Sequence, residues 1–151
     1  MAGTVVADTL QAASTSTLVL KNGVANTPPT IQDSAGTQIG TFCRAWVNFN
    51  GTTVTSPASM TGVNGSFNVS SVLDGGTGDY TVNFTTAMPD ANYAFSVMSV
   101  VGTAGFIGNQ WIADAAHITS TSLRVQAGYR QSSAGAGTAV DSPEVSVAIF
   151  R

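Results

Sequence analysis

Charge is scarce in this chain. Of its 151 residues, 9% are Asp, Glu, Lys or Arg, against roughly 25% in ordinary soluble domains. The basic residues are Lys21, Arg44, Arg124, Arg130 and Arg151, and they form no run. Sequence-independent nucleic-acid binding needs clustered Lys and Arg against phosphates, so no nucleic-acid partner is expected. Cysteine is limited to Cys43, which excludes a disulfide within one chain. In the strand-like setting Thr41-Phe42-Cys43-Arg44-Ala45-Trp46 it reads as a buried, inert thiol. Histidine is limited to His117, too far from Cys43 in sequence to suggest a tetrahedral metal site. No basic segment precedes Lys21, so no secretory signal is expected. The most apolar stretch, Tyr93 to Ile107, is broken by Ser96, Ser99, Gly102 and Gly105 and is too short to span a bilayer. The expectation is a chain made in a cytoplasm, soluble there and not inserted in a membrane.

What fills the space is Gly, Ser, Thr, Val, Ala and Asn. Hydroxyls and amides give polarity without the charge that holds monomers apart, so the surface is suited to lasting burial against other copies. From Phe42 onward the pattern has period two. Ala45, Val47 and Phe49 alternate with Arg44, Trp46 and Asn48. Similar runs are Phe67–Val69, Tyr80–Val82–Phe84, Tyr93–Phe95–Val97, Leu123–Val125–Ala127–Tyr129 and Val145–Val147–Ile149. Alternate side chains of a strand face opposite ways, so each run has one apolar side. Asn50-Gly51, Asn64-Gly65, Asp74-Gly75-Gly76 and Met88-Pro89-Asp90-Ala91-Asn92 read as turns. Together these predict an all-β module at 41–151, an antiparallel β-sandwich of jelly-roll-like type. A short helix is conceivable over Ile112–His117. Val54–Gly65 and Ser132–Thr138 read as long loops, where recognition often resides.

Residues 1–40 differ. Gly3–Asp8 and Thr17–Lys21 could each make a short strand, but no apolar period persists, and Pro28-Pro29 enforces extended backbone. This predicts an extended N-terminal arm. Leu10, Leu18, Val19, Leu20 and Ile31 argue against a purely solvated tail. Interface residues are expected at Leu10, Leu18, Leu20, Pro28, Pro29, Arg44 and Trp46. Trp46 faces away from the core with Arg44, and Trp and Arg are favoured anchors. Trp111, in a Gly-Asn-Gln context, is the candidate for an exposed ligand contact.

Catalytic patterns are weak. His117 with Asp114 and a serine could be imagined as a triad, but no G-x-S-x-G elbow is present. Gly102 to Gly108 lacks dinucleotide or P-loop spacing. Asp74 and Asp79 bracket a glycine-rich loop, read as a hairpin rather than a calcium site. Asn-x-Ser/Thr matches at Asn50, Asn64, Asn68 and Asn83 read as by-products of composition. No catalytic residue, cofactor or metal site is predicted. A glycan hydrolase would call for paired carboxylates.

Several long strings carry a resemblance. Phe42-Cys43-Arg44-Ala45-Trp46-Val47-Asn48-Phe49-Asn50-Gly51-Thr52 resembles a stretch of phage tail-fibre and related virion proteins. So do Ser66-Phe67-Asn68-Val69-Ser70-Ser71 and the run from Gly78 to Tyr93. Val145 to Arg151 is similar to the terminal strand of that module, and Ala25 to Asp33 to its lead-in. The longer loop at Val54–Gly65 and the lack of a repetitive shaft depart from the pattern and favour a short fibre, a head fibre or a capsid-decorating knob. The resemblance implies a homotrimer whose N-terminal arm attaches to the virion, synthesised in the host bacterial cytoplasm. The expected function is structural, with other virion proteins of capsid or tail as partners. The alternative is a receptor-binding module for host cell-surface glycans.

Overall fold

The computed structural model describes residues 31–100, 109–111 (backbone), 117–129 and 138–151. The described residues form eleven strands: β1 (Ile31–Gln32), β2 (Gln38–Gly40), β3 (Cys43–Phe49), β4 (Val63–Phe67), β5 (Val69–Gly76), β6 (Asp79–Phe84), β7 (Ala94–Val100), β8 (Asn109–Trp111), β9 (Ser122–Tyr129), β10 (Thr138–Ala139) and β11 (Glu144–Phe150). One sheet has the order β4-β3-β11-β7; the other runs β10-β9-β6-β5, with β8 also paired to β9. All pairings are antiparallel. The expected antiparallel sandwich is the fold observed. Its first sheet is completed by the last strand, β11, which lies between β3 and β7.

The core lies where the two sheets' apolar sides meet. Ala45, Val47, Phe49, Val145, Val147 and Ile149 come from the first sheet, and Val69, Val72, Tyr80, Val82, Phe84, Leu123, Val125 and Ala127 from the second. The Phe49 and Tyr80 rings cross between the sheets edge to face, with centroids 5.1 Å apart. Phe84, Tyr93 and Phe95 form a second aromatic chain, at 6.0 and 6.4 Å. Such pairs add stabilisation beyond the area they bury.

Three expectations need correction. Phe67 and Val69 do not share a face: Phe67 is exposed and Val69 is buried. Between them Asn68 adopts φ 55°, a left-handed conformation tolerated by Asn. The chain passes there from the first sheet to the second. The Asn68 amide holds the crossing, donating to the carbonyls of Arg44 (3.1 Å) and Thr86 (3.0 Å) and accepting from the Thr86 N–H (2.8 Å). Asn64-Gly65 is not a turn but lies within β4; the turn glycine of that region is Gly62, at φ 80°. Tyr129, expected in the core, is half-buried at the end of β9.

The described end of the expected arm, from residue 31 to 40, contains two short strands. β1 and β2 form a small hairpin, so residues 31–40 have regular structure of their own. Asp33 accepts the N–H groups of Ala35 and Thr37, both at 2.9 Å, and Gly36 takes the positive φ. The expected strands at 3–8 and 17–21, most of the expected helix at 112–117 and most of the 132–138 loop lie outside the described residues.

Buried phenols give the fold an alkaline limit. Burial pushes the Tyr93 phenol from 10.0 up to about 12, while its O–H donates to the carbonyls of Thr119 and Ser122 at 3.1 Å. Tyr80 is raised too, by burial first and then by the Asp141 carboxylate that its O–H meets at 3.1 Å. A raised phenol pKa means that the folded state favours the neutral form. Its stabilisation is therefore complete below the unfolded value of 10 and is lost as pH rises toward 12. The urea midpoint is expected to fall across that window, and Tyr93→Phe to make the fall shallower.

Candidate interaction face

The two outer faces of the sandwich differ in chemistry, and the contrast singles out one of them. On the second sheet the outward residues include Ser71, Asp79, Thr81, Asn83, Arg124 and Gln126, in pairs such as Ser71 with Asn83 and Thr81 with Arg124. Arg124 is forked onto Asp79, with Nε 2.7 Å from Oδ1 and Nη2 on Oδ2. Its Nη1 donates to Nε2 of His117 at 2.7 Å. The arginine has only donors, so this ring nitrogen is the acceptor. Leu73 stands in the row of Thr81 and Arg124, and the Asp79 and Arg124 charges of that face are tied to one another.

The outer face of the β4-β3-β11-β7 sheet is largely apolar. Strand register sets its residues in cross-strand rows. One row reads Phe67, Trp46, Ala148, Ser96, and the next reads Gly65, Asn48, Ser146, Met98. Beyond them lie Glu144 beside Val100 at one end, and Phe150 beside Ala94 at the other. Met98 is 69% exposed, Phe67 55%, Val100 53% and Trp46 42%. Burying a large apolar side chain is worth about 1.5–3 kcal/mol, so a face of this kind is a standing source of association energy.

Polar groups on the face are already organised. The Asn48 amide donates to Glu144 Oε1 (3.1 Å) and Ser146 Oγ (2.9 Å) and accepts from the Asn64 amide (2.8 Å). The far edge of the Trp46 indole reaches over Gly65: a Cβ built there would stand 3.4 Å from the ring. A Cβ at 65 would touch the ring at van der Waals distance, so only a side chain reaching past Cβ toward the indole would displace it.

Of the interface residues expected from sequence, Arg44 and Trp46 belong to this face. Trp46 stands near its centre, and Arg44, half-buried, alternates with the fully buried Ala45 near the Phe150 end. Leu10, Leu18, Leu20, Pro28 and Pro29 lie outside the described residues. Trp111 is placed by its backbone, paired with Gln126 in β8; its side chain lies outside the description. Sequence reasoning missed Phe67, Met98, Val100, Phe150 and Glu144 as members of the face. Met98 and Val100 lie past the Tyr93–Phe95–Val97 alternation, on the side of Ser96 that it assigns to solvent. Phe67 was hidden by the crossing at Asn68.

The remaining candidates are committed elsewhere. Asp74 accepts the Gly76 N–H at 2.8 Å within the β5–β6 hairpin, and Asp79 is held by Arg124. Cys43 is half-buried, its thiol 3.2 Å from the Ala45 carbonyl. Asp114, the imagined partner of His117, lies outside the described residues. Compared with known proteins, the chain matches no family model, no curated protein and no solved structure.

Proposed function

We propose that the chain is a non-enzymatic structural component of a bacteriophage particle, a short fibre or capsid-decorating (cement) protein. Residues 1–40 anchor it, copies assemble as the homotrimer that the sequence resemblance implies, and its place is the virion. The observation that carries this reading is the solvent-facing apolar surface of the β4-β3-β11-β7 sheet, in a chain with 9% charged residues. A permanent protein neighbour covers such a surface, and low charge removes the repulsion that would oppose it. Many weak contacts around a symmetric particle then add to long-lived attachment.

A second reading has its own observation. Trp46 offers an exposed aromatic ring beside the hydrogen-bonded Asn48, Asn64 and Glu144 side chains, a pairing of flat apolar surface with fixed amides that also suits a sugar ring. That reading makes the protein a receptor-binding module for host-surface glycans. One experiment separates the two. The purified full chain is sedimented with capsids and tails of the phage that encodes it, and separately with host cells and their isolated polysaccharide. The structural reading expects co-sedimentation with particle components and none with cells or polysaccharide. Binding to cells or polysaccharide alone overturns it.

A further inference from the structure

We propose that the outer face of the β4-β3-β11-β7 sheet is a contact between two copies of this chain, laid face to face with antiparallel strands about a two-fold axis. The proposal deepens the structural reading by naming what covers the face. It rests on how charge and side-chain size are distributed across that face.

Charge comes first. Arg44 stands at one end of the face. Val145 pairs with Phe49, so Glu144 stands one position beyond it, at the other end. At about 3.3 Å per residue the two charges are about 20 Å apart along the strands. Among the described residues neither forms an ion pair: the pairs present are Arg124 with Asp79 and Arg151 with Asp90. Stacking a second copy with its strands parallel would set Arg44 near Arg44 and Glu144 near Glu144. An antiparallel two-fold sets each Arg44 toward the Glu144 of the other copy, twice, as an isologous contact requires.

Side-chain size along β7 fits the same operation. The two-fold exchanges the central rows, so each residue meets its neighbour-but-one on the same strand of the second copy. Met98 then lies over Ser96, while Phe67 comes over Gly65 where the Trp46 indole already reaches. At the ends of β7, Val100 lies over Ala94. Along β7 a large exposed side chain meets a small one, while on β3 Trp46 meets Asn48 and on β11 Glu144 meets Phe150; face-to-face sheets pack about 10 Å apart. The face is about 20 Å on each side, some 400 Å² in projection on each copy and about 800 Å² for the pair, below the roughly 1,200 Å² of a standard specific interface. The contact is therefore weak in a single pair. An isologous contact joins copies two at a time, so a homotrimer would be held by other residues and linked through this face.

The test is a charge exchange on the full chain. Association is followed by sedimentation equilibrium, with circular dichroism confirming the fold of each variant. The wild type is expected to form pairs of twice the 15.3 kDa chain mass, or even-numbered assemblies built from them. Arg44→Glu and Glu144→Arg are each expected to weaken pairing by about tenfold or more, since each sets like charges together. Mixing the two variants restores every Arg–Glu contact, and pairing is expected to return in the mixture. A wild type that stays single at about 0.5 mM overturns the proposal. So does association that neither exchange weakens, or a mixture that pairs no better than its components. If pairs behave as expected but particles do not bind the protein, the virion reading fails and this contact stands. If particles bind while the mixture fails to recover, the reverse holds.

Discussion

Phe49→Ala is expected to destabilise the fold by about 4 kcal/mol, a large share of the roughly 5–15 kcal/mol that holds an ordinary domain folded. Phe49 is completely buried in β3, and its ring meets Tyr80 of the opposite sheet edge to face at 5.1 Å. Truncation removes the buried ring, leaves a cavity between the sheets and takes away the aromatic partner of Tyr80. The neighbours cannot close the gap readily, because Val47 and Val145 are held by sheet register on either side. Phe49→Leu keeps most of the volume and is expected to cost about 1.5 kcal/mol or less. Urea unfolding followed by tryptophan fluorescence measures both. Equal effects of the two substitutions would place Phe49 outside a close-packed core.

Gly78→Ala is expected to cost about 3–4 kcal/mol, through backbone strain and overpacking together. Gly78 holds φ 66° at the β5–β6 turn, a left-handed value that alanine adopts at a cost. A Cβ there would also stand 2.3 Å from the Ala127 carbonyl oxygen and 2.8 Å from the Val140 nitrogen. Both are main-chain atoms and cannot swing aside. They belong to a junction at one end of the sandwich. Ala127 donates to the Gly78 carbonyl and accepts from Val140, and the Gly78 N–H donates to Asp141, which also accepts from Tyr80. Gly36 supplies the control. It has φ 82° with nothing within 4 Å of a built Cβ, so Gly36→Ala carries the dihedral cost alone, about 1–2 kcal/mol. The difference between the two melting shifts isolates the close approach at Gly78.

Much of this architecture was legible in the residue pattern, for a definite reason. Where one side of a strand is buried and the other is polar, alternation carries the face assignment, as in Ala45–Val47–Phe49 and Val145–Val147–Ile149. The pattern fails where its premise fails. Asn68 reverses the alternation by a single left-handed residue, so Phe67 and Val69 part company. Asn64-Gly65 has turn chemistry, yet here Gly65 serves as the low spot beneath the Trp46 indole, and Gly62 makes the turn. Trp46 could be assigned outward from its neighbours alone. Its companions could not, because joining Trp46 to Ala148 and Asn48 to Glu144 depends on β11 returning beside β3 across most of the chain. Register between distant strands has no local signature.

The apolar face matters most for function, because its chemistry is the reverse of what a solvated sheet carries. The opposite face ties its charge internally through Asp79, Arg124 and His117, while this one leaves Trp46, Phe67, Met98 and Val100 toward solvent. Hydroxyl-radical footprinting tests directly whether protein covers it. Oxidation of Met98 and Trp46 is compared between the dilute single chain and the chain assembled on particles. Covering predicts strong protection of both residues on assembly, with no comparable change at exposed Met60, which lies in the loop before β4. Equal oxidation of Met98 and Trp46 in the two states would contradict it.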